Sequence, residues 1–110
     1  METKIERVDR MCGGKGHLII KHILGEKELN GKCGLYAQIT MEPNCTLGYH
    51  EHHGESETYY ILSGKGLYND NGKTRPVKAG DVTYTGNGHG HALENTGDTD
   101  LVFMALIIFD

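Results

Sequence analysis

The chain of 110 residues has no tryptophan, two prolines and three cysteines. The cysteines, Cys12, Cys33 and Cys45, are odd in number and lack C-x-x-C spacing, which supports neither a disulfide framework nor a cysteine zinc site. We expect them to be packing residues or free thiols. The first residues lack the apolar core and cleavage site of a secretory signal, so we expect a cytoplasmic location.

Clustered charge and long apolar runs are also absent. The formal net charge at pH 7 is -4, and the 11 basic residues are scattered instead of forming the patch that follows a phosphate backbone. The longest apolar run, residues 101–109, is far shorter than the about 20 residues that a membrane-spanning helix needs. The sequence therefore predicts no nucleic-acid partner and no membrane segment.

Glycine, by contrast, is abundant, with 16 residues, and indicates many tight turns. Short β-forming runs alternate with these turns, as in a sandwich or barrel. The predicted strands are residues 17–24, 35–41, 47–52, 58–62, 66–69, 74–78, 82–85, 91–95 and 101–109. Asn71-Gly72 predicts a tight hairpin. We therefore predict an all-β jelly roll made of one domain, residues 17–110, preceded by an N-terminal arm, residues 1–16.

The segment His50-Glu51-His52 places two imidazoles two residues apart. Since side chains of a strand alternate between its faces, both rings are predicted to lie on one face and to reach one metal ion. Glu57 follows a short glycine-containing loop and can return a carboxylate to that face. His91, at the start of a later strand, can come opposite His50 by antiparallel pairing.

The predicted metal ligands are therefore His50, His52, Glu57 and His91. Histidines combined with one carboxylate form a set that leaves coordination positions open for a substrate. Such ligands suit Mn, Fe, Co, Ni or Zn, and the sequence does not choose among them. We expect one divalent transition metal per chain as the cofactor, and we assign no catalytic residue.

The spacing of these residues resembles the two motifs of the cupin family. The first motif, H-x-H-x(3,4)-E-x(6)-G, is matched by His50, His52, Glu57 and Gly64. The second, G-x(5)-P-x-G-x(2)-H-x(3)-N, is matched by Gly80, Gly88, His91 and Asn95, with Gly86 in place of the proline. The resemblance implies a small single-domain cupin of the conserved-barrel type, a jelly roll also described as a double-stranded β-helix.

The cupin resemblance leaves the function open, because the family includes dioxygenases, decarboxylases, isomerases, sugar-binding regulatory domains and storage proteins. We expect a metal-dependent enzyme that acts on a small organic molecule as a dioxygenase, lyase or isomerase. Two alternatives remain. One is a non-catalytic module that binds or senses a small, sugar-like molecule, and the other is an oxalate-decarboxylase-like protein.

The distribution of arginine bears on the ligand. Oxalate-decarboxylase-like cupins carry an arginine three residues before the first ligand histidine, and Leu47 occupies that position here. Arg7, Arg10 and Arg75 lie outside the predicted ligand strands, so the metal alone would offset a second carboxylate charge. We therefore expect a neutral or weakly chelating ligand to bind more tightly than a dicarboxylate.

Residues beside the motifs are open to two interpretations. Strand parity points His53 away from the ligands, and both His53 and His89 are interpreted as loop residues or as residues at the mouth of the site. Tyr59 has the parity of an inward-facing residue, and core packing is its favoured role. Asn95 is interpreted as a turn residue or as a partner of a ligand, and Cys45 as a structural residue.

The last predicted strand, residues 101–109, is apolar at nearly every position. A strand with only one covered face needs apolar residues only at alternate positions, so both of its faces are expected to be covered. Residues of another sheet or of a second subunit must therefore pack on the second face of this strand. We predict a homodimer.

Overall fold

The computed structural model describes residues 2–110 and contains ten β-strands, one short α-helix and one 3₁₀ turn. In chain order these are β1 (Ile5–Asp9), the 3₁₀ turn (Met11–Gly13), β2 (His17–His22), α1 (Glu26–Leu29), β3 (Cys33–Met41), β4 (Thr46–Glu51), β5 (Glu55–Ser63), β6 (Lys65–Asp70), β7 (Lys73–Lys78), β8 (Val82–Thr85), β9 (Gly90–Asn95) and β10 (Leu101–Phe109). All nine predicted strands are present, so the all-β prediction is confirmed. Within this described part of the chain, no helix has the length and apolar composition needed to cross a membrane.

The strands form two antiparallel sheets that pack face to face. One sheet has six strands in the order β1-β2-β3-β10-β5-β8, and the other has four in the order β4-β9-β6-β7. Inward-facing residues of both sheets, such as Leu93 from β9 and Phe103 from β10, belong to one apolar core. The two sheets remain separate in their hydrogen bonding, and the arrangement agrees with the predicted jelly roll.

Strand β10 lies in the middle of the larger sheet, between β3 and β5. Its inward residues, such as Phe103, are fully buried, whereas the alternate residues, such as Met104, are half-buried. The apolar composition of both faces of β10 is thus explained in part by this central position. Large apolar side chains remain exposed on the outer face of the sheet: Tyr36, Tyr60, Leu62, Val82 and Tyr84.

The hairpin between β6 and β7 has the turn that Asn71-Gly72 predicted. Asp70 and Lys73 are register partners, and the two central residues have φ angles of 51° and 100°. Positive φ at both central positions matches the twist of a hairpin with a two-residue loop, and asparagine and glycine adopt it at the lowest cost.

The segment predicted as an N-terminal arm contributes structure to the sandwich. Strand β1, which the sequence analysis did not predict, pairs with β2 at the edge of the larger sheet. The 3₁₀ turn packs against β4, where a side chain at either Gly14 or Gly48 would collide with the backbone of the other segment. Glycine therefore permits the N-terminal segment to lie directly beside the strand that carries His50.

Candidate metal centre

The four predicted ligands meet at one end of the space between the two sheets. His50 lies on β4 and His91 on β9, and the two are register partners, as antiparallel pairing predicted. Glu57 lies on β5 of the facing sheet, so the site joins the two sheets. His52 follows the end of β4, where its backbone N–H donates to the carbonyl of His89 at 3.0 Å.

The donor atoms of these side chains converge around Nε2 of His91. This atom lies 3.0 Å from Nε2 of His50, 3.0 Å from Nε2 of His52 and 3.0 Å from Oε1 of Glu57. The same carboxylate oxygen is 3.0 Å from Nε2 of His52 and 3.8 Å from Nε2 of His50. Ligands bound at about 2.1 Å and at right angles around one ion are themselves about 3 Å apart. The four atoms therefore have the spacing of a common coordination sphere.

Hydrogen bonds fix the protonated nitrogen of two imidazoles. Nδ1 of His50 lies 2.8 Å from the carbonyl oxygen of Gly48, and Nδ1 of His52 lies 2.5 Å from Oε2 of Glu55. Carbonyl and carboxylate oxygens only accept, so each Nδ1 carries a proton and donates it. In the neutral rings, each Nε2 therefore turns its lone pair toward the cluster.

The third imidazole is held by two hydroxyl groups. Nδ1 of His91 is 2.9 Å from the Tyr68 hydroxyl and 2.9 Å from Oγ1 of Thr85, and these two oxygens are 2.6 Å apart. All three residues are buried. Since a hydroxyl can both donate and accept, the pair can satisfy Nδ1 of His91 and leave Nε2 free for a metal.

Tyr59 adds a further hydroxyl group to the site. Its ring stacks on the imidazole of His91, with centroids 4.8 Å apart, and its hydroxyl oxygen lies 3.3 Å from Nε2 of His91. Burial and the nearby charge of Glu57 raise the pKa of this phenol well above its ordinary value, so it keeps its proton. Tyr59 is thus more than the core-packing residue that we predicted, because its ring is in the core and its hydroxyl is at the ligand cluster.

The surroundings of the ligand residues shift their pKa values and so determine which of them are charged. Burial alone would raise the pKa of Glu57, but hydrogen bonds with His50 and His91 and the imidazole charges lower it to about 2. Burial lowers the pKa of His91. Burial also acts to lower the pKa of His50, but hydrogen bonds with Glu57 and Gly48 outweigh it, and the net shift is upward. Glu57 is therefore ionised at neutral pH, and His50 takes up a proton more readily than His91.

The chemistry of the donor set fits a divalent first-row metal ion. Imidazole lone pairs and an ionised carboxylate point at one another, and a shared cation offsets their mutual repulsion. Nitrogen and oxygen ligands of these kinds suit Mn, Fe, Co, Ni and Zn. The cluster of His50, His52, Glu57 and His91 is therefore able to hold a metal ion.

Other residues noted in the sequence lie outside the ligand cluster. His53 is exposed, as strand parity predicted, and its Nε2 lies 3.5 Å from Oε1 of Glu51. His89 is also exposed. Asn95 is buried and donates from its amide group to two backbone carbonyls, while Cys45 is buried in the apolar core. These positions favour a structural role for Asn95 and Cys45.

The side chains that hold the ligand imidazoles, namely Glu55, Tyr68 and Thr85, were not predicted from the sequence. Glu55 shares the parity of Glu57 on β5, so its inward direction could have been predicted. Tyr68 depends on the register of β6 with β9, and Thr85 depends on how β8 of the larger sheet faces β9 of the smaller one. No short motif reports either arrangement.

Comparison with known proteins found a matching family, a similar sequence and a similar structure. A sequence model described as the cupin domain matches residues 37–109. An oxalate-binding protein from Thermotoga maritima is 48% identical over 107 residues, which cover 97% of this chain and 88% of that protein. A crystal structure described as a predicted oxalate decarboxylase from Thermotoga maritima superimposes with a TM-score of 0.94 at 46% identity, covering 99% of this chain and 95% of that one.

A longer relative matches over part of its length. Oxalate decarboxylase from Bacillus subtilis is 36% identical over 75 residues, which are 64% of this chain and 20% of that enzyme. The match therefore spans about one fifth of the length of the decarboxylase.

Proposed function

Because the chain belongs to the cupin domain family, we propose that it is a metal-binding protein whose metal holds a small chelating organic acid. The proposed metal ligands are His50, His52, Glu57 and His91. The observation that carries the proposal is the convergence of three imidazole Nε2 atoms and an ionised carboxylate oxygen at the spacing of one coordination sphere. One divalent ion per chain, from the series Mn, Fe, Co, Ni and Zn, is the proposed cofactor.

The proposed ligand is a small dicarboxylate, and oxalate is the first compound to test. A relative that is 48% identical over nearly the whole chain is named an oxalate-binding protein. A divalent ion exceeds the charge of Glu57 by one unit and can attract an anionic chelator. Leu47, in the position where related decarboxylases carry arginine, is buried in the core, so the metal supplies the main attraction. The neutral ligand expected from the sequence is the competing outcome.

Ligand titrations of metal-loaded protein test this proposal. Protein loaded with each of the five metals is mixed with oxalate, malonate or a neutral catechol, and thermal unfolding is followed. A ligand at a hundred times its dissociation constant should stabilise the protein by about 2.7 kcal/mol. We expect stabilisation by oxalate only when metal is present, and none in the His52→Ala variant. Tighter binding of the neutral catechol than of oxalate would contradict the proposed ligand class.

A metal-dependent enzyme is a second candidate, and the hydroxyl of Tyr59 favours it. A bound divalent metal would supply Lewis-acid polarisation or oxygen activation. Tyr59 keeps its proton next to the ligand cluster, so it can donate a hydrogen bond or a proton to a bound molecule. Oxygen uptake and carbon dioxide release from oxalate measure turnover. Turnover that is lost in Tyr59→Phe would support the enzyme, and binding without turnover in every metal form would support a binding module.

We further propose that two copies pair through the outer face of the six-stranded sheet. Tyr60 and Val82 are register partners, and together with Tyr36, Leu62 and Tyr84 they leave a large apolar surface exposed. Monomeric proteins rarely expose large continuous apolar patches, and a self-complementary face favours a symmetric dimer. Sedimentation at micromolar protein concentration should give the mass of a dimer, and Tyr84→Glu should shift it toward that of a monomer. A monomeric wild-type protein would contradict this part of the proposal.

A further inference from the structure

The three ligand imidazoles differ in what holds their outer nitrogen. Nδ1 of His50 faces a neutral backbone carbonyl, and Nδ1 of His91 faces two neutral hydroxyl groups. Nδ1 of His52 instead faces the carboxylate of Glu55 at 2.5 Å. We infer that Glu55 is a positioning residue, which sets the orientation and donor strength of His52 and thereby the metal affinity of the site. This inference rests on the proposed metal binding.

The contact between Glu55 and His52 is sheltered from water. The side chain of His52 is 6% exposed and that of Glu55 is 23% exposed, so solvent screens the pair less than it screens a surface ion pair. The ring is also held from its inner side, since Nε2 of His52 lies 3.0 Å from Oε1 of Glu57. The imidazole is thus placed between a ligand carboxylate and an outer carboxylate.

The outer carboxylate has two physical effects on the ligand. It keeps the proton on Nδ1, which leaves the lone pair of Nε2 free for the metal. Its negative charge also increases the electron density of the ring and makes Nε2 a stronger donor. Glu57 brings its negative charge to the cluster directly, whereas Glu55 acts on the ion through the ring of His52.

A purely structural role for Glu55 would require the loop before β5 to depend on it. Other contacts already hold this loop. The backbone N–H of Gly54 donates to Oδ1 of Asn87 at 2.7 Å, and the carbonyl of Gly54 accepts from the N–H of Asp110 at 3.0 Å. Because these contacts do not involve the Glu55 side chain, removal of its charge should leave the loop in place.

The test compares Glu55→Gln with a matched control, Glu51→Gln. Glutamine keeps the size and can still accept a hydrogen bond from His52, but it has no charge. Glu51 is an exposed acid beside His53 in the same segment, and its carboxylate is not part of the ligand cluster. Cobalt(II) affinity is measured by competition with a chelator, and the visible spectrum of the bound cobalt reports the ligand field.

We expect Glu55→Gln to weaken cobalt(II) binding about 10-fold to 100-fold and to shift the visible spectrum. Glu51→Gln should match the wild type in both measurements, and both variants should keep the melting temperature of the metal-free protein. Glu55→Asp, which keeps the charge on a shorter side chain, should bind cobalt(II) more tightly than Glu55→Gln. If Glu55→Gln folds poorly, Glu55→Ala takes its place in this comparison, because it removes the same charge.

The outcomes separate this inference from the proposed function. If the wild-type protein binds cobalt(II) and Glu55→Gln binds it equally well with an unchanged spectrum, Glu55 is not a positioning residue and metal binding still stands. A loss of affinity in Glu55→Gln that equals the loss in Glu51→Gln would also overturn the inference, because it would reflect general surface charge. If the wild-type protein binds none of the five proposed metals, the proposed function fails as well.

Discussion

The two ends of the space between the sheets differ in chemistry although strand β5 runs through both. The polar end contains the four proposed ligands, and the apolar end contains Leu18, Met41, Leu101 and Phe103, all of them fully buried. On β5, Glu57 belongs to the polar end and Ile61, four residues later and on the same face, to the apolar end. The comparison indicates that the apolar end supplies folding energy while the polar end is free to carry ligands.

The largest predicted effect concerns the apolar end. Phe103→Ala should lower the free energy of unfolding by about 3–5 kcal/mol, because it leaves a cavity in a fully packed core. Urea unfolding of the metal-free protein measures this loss. At a temperature where the variant is folded, it should still bind metal. A loss of metal binding from the folded variant would show that the two ends are not separable.

His52→Ala, at the polar end, should have the opposite effect: it should lower metal affinity strongly and the stability of the metal-free protein only a little. We expect at least a 100-fold loss of metal affinity, which corresponds to about 2.7 kcal/mol, since one of the four ligands and its link to Glu55 are removed. Unfolding of the metal-free protein should change less than in Phe103→Ala. His53→Ala is the matched control, because His53 is exposed and lies outside the cluster, and equal metal loss in both variants would refute the assignment.

A fall in pH should affect the polar end before it affects the apolar end. The net pKa shift of His50 is upward and that of His91 is downward, so His50 is protonated first as the pH falls. A protonated imidazole cannot bind metal, and affinity should therefore begin to fall above about pH 6.5, the ordinary imidazole pKa, and decrease by about tenfold per pH unit below it. The pKa of Glu57 is about 2, so its carboxylate stays ionised through this range. Metal titrations between pH 8 and pH 5.5 measure the slope, and a flat profile would count against imidazole ligation.

The sequence predicted the strands and the ligand set better than it predicted the support of the ligands. Strand parity placed Glu57 and Tyr59 on one face, and the two motifs singled out the four convergent residues. Strand β10 is apolar at nearly every position, so its sequence did not show that Phe103 faces inward. Strand β1 was missed because three of its five residues are charged, and its pairing with β2 overrides that composition.

Long-range register explains what sequence reasoning did not find at the site. The contact of His91 with Tyr68 depends on the register of β6 and β9, and its contact with Thr85 depends on how β8 of the other sheet faces β9. No local pattern encodes either arrangement. Tyr59 had the right parity, but parity does not tell where a hydroxyl group ends. Its position 3.3 Å from Nε2 of His91 required the three-dimensional structure.

The most direct test of the account is the metal content of the protein isolated from its native host without added metal. Elemental analysis of carefully prepared protein should give close to one divalent transition metal ion per chain, and the same preparation of His52→Ala should contain far less. Wild-type protein with metal content near zero that also takes up none of Mn, Fe, Co, Ni or Zn on titration would contradict the claim that this cluster is a metal site.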